Sequence, residues 1–88
     1  MIIELHPGFK KAYKKRVAQN PKLIALMSKR IKLFQNNPAN KILKDHSLKG
    51  SKSKFRAFSI TGDIRIVYLP ISKERVIFLD VGTHNQVY

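Results

Sequence analysis

The chain has no cysteine. That excludes disulfide staples, thiolate metal sites and a cysteine nucleophile, and it fits a reducing cytoplasm. Acidic residues are scarce: five Asp and Glu stand against eighteen Lys and Arg, a net charge of +13. Solubility is usually met by a net charge of ~2–8. The excess repels itself in so small a body and points to a polyanionic partner. No stretch approaches the ~18 apolar residues of a membrane span, and Met1–Leu5 lacks the build of a secretory signal. No membrane partner is expected. There is no Gly-rich phosphate loop, no serine-nucleophile motif and no His-Glu-x-x-His or paired-carboxylate spacing, and the three histidines lie far apart. Neither a metal site nor a cofactor is expected. No repeat, low-complexity tract or linker divides the chain, so residues 1–88 read as a single domain. Its 43% hydrophobic content suffices for a small packed core.

What is present divides into a helical first half and a strand-forming second half. Ile2–Leu5 reads as a short strand. His6-Pro7 stops it and starts a helix over Pro7–Gln19, with His6 as the cap and Phe9, Ala12, Tyr13 and Val17 at helical spacing. Asn20-Pro21 repeats the punctuation ahead of Pro21–Gln35, whose stripe is Leu23, Ile24, Met27, Ile31 and Phe34. The short gap predicts an antiparallel helical hairpin. Residues 39–52 read as irregular, with a turn of helix near Asn40–Lys44. Lys54–Ile60, Ile64–Leu69 and Arg75–Val81 read as strands. They are joined by a tight Thr61-Gly62-Asp63 turn, with Gly62 able to take positive φ, and by a looser Pro70–Glu74 turn. Gly82–Tyr88 is expected to add a short last strand. The fold class is α+β: an antiparallel sheet of three to five strands, in β-α-α-β-β-β order, with a two-helix hairpin on one face.

The sheet face left bare by the helices is where a binding surface belongs. Lys52, Lys54 and Arg56 are spaced to share one face of a strand, within reach of successive phosphates. Lys49 precedes them. Arg65, inside the apolar run Ile64–Leu69, calls for an anionic partner. A solvated charged face is the plainer reading of these cations. RNA cleavage needs a base for the 2′-hydroxyl proton, an acid for the leaving 5′-oxygen and cations for the phosphorane charge. Histidine suits both proton roles. His46, just before the basic strand, and His84, after Gly82-Thr83, are the candidates. Asp63 is both a turn residue and a candidate base, and Tyr88 a candidate for stacking on a nucleobase.

Four segments together resemble one family: Asp45-His46-Ser47-Leu48-Lys49-Gly50, Phe55-Arg56, Asp63-Ile64-Arg65-Ile66-Val67-Tyr68 and Gly82-Thr83-His84. The chain resembles the RelE/YafQ/YoeB toxins of type II toxin–antitoxin modules, and most of all the YafQ branch, along essentially its whole length. The resemblance implies a RelE-like fold and an antitoxin-neutralised, metal-independent endoribonuclease in the cytoplasm. It would cut mRNA in the ribosomal A site and contact ribosomal RNA. Attack by the 2′-hydroxyl would leave a 2′,3′-cyclic or 3′-phosphate and a 5′-hydroxyl. It implies catalytic positions at His46, Asp63 and His84, a catalytic arginine at Arg65, an RNA-binding cluster including Lys52 and Lys54, and a supporting aromatic at Tyr88. It implies an antitoxin with an acidic toxin-binding segment, through which alone DNA would be bound. Two departures stand out: Ser59 replaces a histidine of the YafQ pattern and Ile64 a tryptophan, which leaves the base open between His46 and Asp63. The rival readings are a non-catalytic RNA- or DNA-binding module, a ParE-like toxin directed at gyrase, and a purely structural interaction protein.

Overall fold

The structure, a computed structural model, describes all 88 residues. The chain runs β1 (Ile2–Leu5), α1 (Pro7–Arg16), α2 (Pro21–Asn36), β2 (His46–Ser47), β3 (Arg56–Ser59), β4 (Ile64–Ser72), β5 (Arg75–Thr83) and α3 (His84–Val87), with 3-10 turns at Lys41–Leu43 and Gly50–Lys52. The five strands form one sheet in the order β1-β5-β4-β3-β2.

Both long helices start as their punctuation predicts. His6 Nδ1 accepts the Gly8 N–H at 2.9 Å, and Asn20 Oδ1 accepts the Leu23 N–H at 3.1 Å, with proline following each cap. Each bond satisfies a donor that the first helical turn leaves unpaired. α1 ends at Arg16, three residues before the expected Gln19. Val17 turns inward there and is buried, so the connection to α2 has become tertiary core.

Strand alternation sorts the sheet into two faces. Phe58, Ile66, Tyr68, Phe78 and Val81 join Phe9 and Ala12 of α1 and Met27 and Phe34 of α2 in the main core. Phe34 is its centre. Its ring stacks on Phe58 at 4.3 Å between centroids and meets Tyr68 edge-on at 4.9 Å. On the opposite face Ala57 and Val67 pack with Leu48 in a second cluster, against which Phe55, Val87 and Tyr88 lie. This smaller apolar floor supports the site described below.

The sheet departs from expectation in several places. It is mixed: β2, β3, β4 and β5 are antiparallel, but β1 lies parallel to β5, Ile3 opposite Val76. A parallel neighbour needs a long crossover, which the intervening chain supplies. The Thr61–Asp63 turn does not use a positive φ at Gly62; Gly50 alone among the glycines adopts one. Instead the Thr61 hydroxyl accepts the Asp63 and Ile64 N–H groups at 3.1 and 2.8 Å. The second turn is tighter than expected, because β4 continues through Pro70 to Ser72. Pro70 lies beyond the end of β3, where β4 pairs with β5 alone. Proline is tolerated at such a position. The last segment is a one-turn helix, α3, and not a strand. Gln86 Oε1 accepts the Thr83 N–H at 2.8 Å and starts that turn.

Candidate active site

The expected row of cations on β3 does not form. Gly50, at φ 66°, opens the 3-10 turn that holds Lys52, and β3 begins only at Arg56. Lys52 and Lys54 therefore precede the strand, and its two-residue period does not reach them. Lys54 lies over the Phe55 ring at 5.3 Å. Arg56 faces the helical side, where its Nε donates to Asp45 Oδ1 at 3.2 Å. The Tyr68 hydroxyl binds the same carboxylate, at 2.9 Å from Oδ1 and 2.7 Å from Oδ2. Burial, then the hydrogen bond to Asp45 and its charge, push the Tyr68 pKa well above the usual phenol value. Burial works to lower the Arg56 pKa, but the Asp45 charge together with Tyr68 holds it above its ordinary value.

On the bare face, a cavity of about 560 Å³ is lined by nine residues, among them His46, Lys49, Lys52, His84 and Tyr88. Two distant segments meet there. His46 arrives on β2, whose Cα pairs with that of Ala57 on β3, and His84 on the first residue of α3. Gly82 permits the second arrival. A Cβ at that position would stand 2.6 Å from Gln86 Oε1 and 2.9 Å from an Arg16 nitrogen, so β5 could not bend into α3 without displacing both.

Tyr88 stands between the two imidazoles. Its ring meets His84 edge-on at 4.4 Å and His46 at 6.4 Å, and its hydroxyl lies 3.4 Å from His46 Nε2. Lys52 Nζ donates to a main-chain oxygen of Tyr88 at 3.2 Å. Arg65, on the same face of β4 as Val67, places its guanidinium carbon 5.6 Å from the Tyr88 ring centroid. One of its terminal nitrogens lies 3.5 Å from His84 Nδ1 and the other 3.4 Å from the Gly62 carbonyl. Its Nε is buried without a hydrogen-bond partner. Asp63 sits in the exposed turn and does not line the cavity. Ser59 is buried, opposite Arg65 in register.

The ring nitrogens are distinguished by their partners. His46 Nδ1 lies 2.9 Å from the Lys44 carbonyl. A carbonyl only accepts, so this nitrogen carries the proton and Nε2 is bare toward the cavity. His84 Nδ1 lies 3.5 Å from an arginine N–H, which only donates, so in the neutral ring this contact favours the proton on Nε2. The two histidines thus present opposite tautomers. The sequence shows Asp45 among the groups able to move a proton and Lys44 among the cations, but assigns neither a role in the site. A carboxylate beside a histidine is a weak signal, and a positive φ at lysine leaves none.

This α+β fold, two long helices on one face of a five-stranded mixed sheet, is that of small bacterial toxins. A copper-bound mutant toxin from Helicobacter pylori is 26% identical, with a TM-score of 0.81 over 100% of this chain and 99% of its own. YafQ from E. coli strain BL21(DE3) is 25% identical, with a TM-score of 0.78 over 98% and 96%. A chain of the E. coli DinJ–YafQ toxin–antitoxin complex is 25% identical, with a TM-score of 0.77 over 98% and 94%. No curated protein sequence matches. The family model described as the bacterial toxin of type II toxin–antitoxin systems, YafQ, matches residues 1–88: the chain belongs to the YafQ toxin family. No helix of the protein is long and apolar enough to cross a membrane.

Proposed function

We propose that the protein is a ribosome-dependent mRNA endoribonuclease of the cytoplasm, neutralised by a cognate antitoxin. The carrying observation is the single cavity shared by His46 and His84, with a bare Nε2 on one and, on the other, an Nδ1 occupied by Arg65. His46 Nε2 takes the proton of the 2′-hydroxyl, whose oxygen attacks the adjacent phosphorus in line. Arg65, Lys52 and Lys49 neutralise the charge that builds on the phosphorane oxygens. His84 acts as the acid in its imidazolium form, with Arg65 swung from Nδ1 onto the phosphorane oxygens; it gives its Nε2 proton to the departing 5′-oxygen and is left neutral. The products are a 2′,3′-cyclic phosphate, opened later to a 3′-phosphate, and a 5′-hydroxyl. Of the two candidate bases, His46 lines the cavity and Asp63 does not, and the step is assigned to His46. Tyr88 gives way to a nucleobase and stacks on it, with its hydroxyl near His46. Lys54 extends the cationic approach to the phosphates of mRNA and ribosomal RNA.

The family relation and the DinJ–YafQ complex support an antitoxin partner for this chain. Charge complementarity favours an acidic toxin-binding segment against the +13 surface. DNA would be reached only through that antitoxin.

The test is to induce the chain with and without the open reading frame beside it and to map the 5′ ends of cut transcripts. The expected result is growth arrest relieved by co-expression, with cuts in frame with translation. His84→Ala should lower cleavage by about 10²–10⁴-fold. Arrest with intact transcripts and impaired gyrase supercoiling would overturn the reading.

A further inference from the structure

We propose that Asp45 is a positioning residue for His46. By tying the segment Lys44–His46 to β3 and β4, it holds the Lys44 carbonyl against His46 Nδ1 and keeps the bare Nε2 turned to the cavity. The structural part stands alone; its consequence for cleavage rests on the nuclease reading above.

Lys44 is the only non-glycine residue at positive φ, with φ 49° and ψ 38°. The left-handed region crowds Cβ against the backbone, so a lysine stays there only where its surroundings over-determine it. Before it, Asn40 Oδ1 accepts the Ile42 N–H at 3.0 Å, and the Lys44 N–H reaches the Lys41 carbonyl at 3.2 Å. After it comes the Asp45 carboxylate, whose side chain is 13% exposed. It accepts from the Tyr68 hydroxyl and Arg56 Nε. Arg56 and Tyr68 are directly opposed in the β3–β4 register. The carboxylate is therefore gripped by adjacent strands on the helical side of the sheet.

His46, one residue further, faces the other way, as the two-residue strand period requires. The anchor and the imidazole thus occupy opposite sheet faces, and Lys44 is fixed at both ends. Its carbonyl has one direction left, toward His46 Nδ1 at 2.9 Å. A free neutral histidine in water favours the proton on Nε2, the form that cannot accept the 2′-hydroxyl proton. Holding the opposite tautomer readies His46 as a base before any RNA arrives. The contact 3.4 Å from the Tyr88 hydroxyl fits, because an O–H can donate to a bare Nε2.

The experiment is a long-range proton–nitrogen spectrum of the imidazoles in the full-length, RNA-free protein at a pH where they are neutral. Cleavage on programmed ribosomes is measured in parallel. In the parent, His46 should show a protonated Nδ1 and a bare Nε2. In Asp45→Ala, His46 should move toward the Nε2–H form while His84 keeps its pattern. Its kcat should fall about 10- to 100-fold, with KM within about twofold, because misdirection of a reacting group strikes the chemical step. Asp45→Asn, whose amide oxygen still accepts from Tyr68, should recover most of both. Should Asp45→Ala fail to fold, Tyr68→Phe is read in its place, with a smaller shift in the same direction. A folded variant in which His46 keeps the Nδ1 proton overturns the proposal. A tautomer shift in a protein that cuts no RNA would leave the positioning intact and overturn the nuclease; cleavage with an unmoved tautomer would do the reverse.

Discussion

Replacing Tyr68 by phenylalanine removes one hydroxyl from the centre of the fold and keeps the ring. The ring packs against Phe34 and Phe58 at 4.9 and 5.9 Å, and those contacts survive. No cavity opens, so the cost is that of the hydrogen bond alone. One proton is shared between the two Asp45 oxygens, and it counts as a single bond to a charged acceptor, about 1.5–3 kcal/mol. Arg56 still satisfies Asp45, which puts the loss toward the lower end, about 1.5–2 kcal/mol. In a domain of this size each kcal/mol moves Tm by about 4–8 °C, so the variant should melt roughly 6–16 °C below the parent at pH 7. The raised Tyr68 pKa adds a pH signature. A phenol whose folded value lies above its unfolded value of about 10 stabilises the fold fully below that pH. The contribution is lost as pH rises through the folded value, because the unfolded chain releases the proton first. Between pH 10 and 11 the parent should therefore lose roughly 1 kcal/mol relative to Tyr68→Phe. Thermal melts followed by circular dichroism from pH 6 to 11 measure both effects. A variant within about 0.5 kcal/mol of the parent at pH 7, below the usual worth of such a bond, would refute the reasoning. So would a gap that does not narrow above pH 10.

Phe34→Ala should cost about 3–5 kcal/mol, measured by urea unfolding, because a fully buried ring stacked on Phe58 leaves a cavity. Lys49→Ala and Lys52→Ala should each reduce the slope of log affinity against log salt for single-stranded RNA by about 0.7, as one phosphate contact is removed. Fluorescence anisotropy across a salt series reads this. Lys44→Gly relieves the left-handed backbone and should leave stability unchanged or raised by up to about 1 kcal/mol by the same unfolding assay.

The elements with local signals were legible from residue order. Paired punctuation at His6-Pro7 and Asn20-Pro21 starts the helices, and the two largely apolar sets Ile64, Ile66, Tyr68 and Arg65, Val67, Leu69 read as a central strand covered on both faces, which is where β4 lies. Arg65 belongs to the second set, and the structure turns it to the face away from the helices, where it meets His84 and Tyr88. His46 and His84 flank a single sheet in the sequence, and the structure brings them to one cavity, which neither Lys54 nor Arg56 lines. The basic strand was misread because a left-handed Gly50 interrupts the period just where counting by twos seemed to apply. A local signal did exist for the last segment: Gln86 follows Thr83 by three residues, the spacing at which a glutamine reaches back to start a helix. The parallel pairing of β1 with β5 joins residues more than seventy positions apart, as Ile2 with Arg75, and periodicity carries nothing about such partners. The Asp45 anchor has the same origin: its hydroxyl partner is 23 residues away, and nothing at position 44 announces a left-handed lysine.

The division of labour between the two histidines is open to a direct chemical measurement. Ribosomes are programmed with an mRNA whose scissile 5′-oxygen is replaced by sulfur, a leaving group that departs without being protonated. Cleavage is then timed for the parent, His46→Ala and His84→Ala. The account predicts that His84→Ala regains a rate close to the parent's on the sulfur substrate, while His46→Ala stays as slow as on the natural linkage. Equal recovery of both variants, or no recovery of His84→Ala, would contradict it.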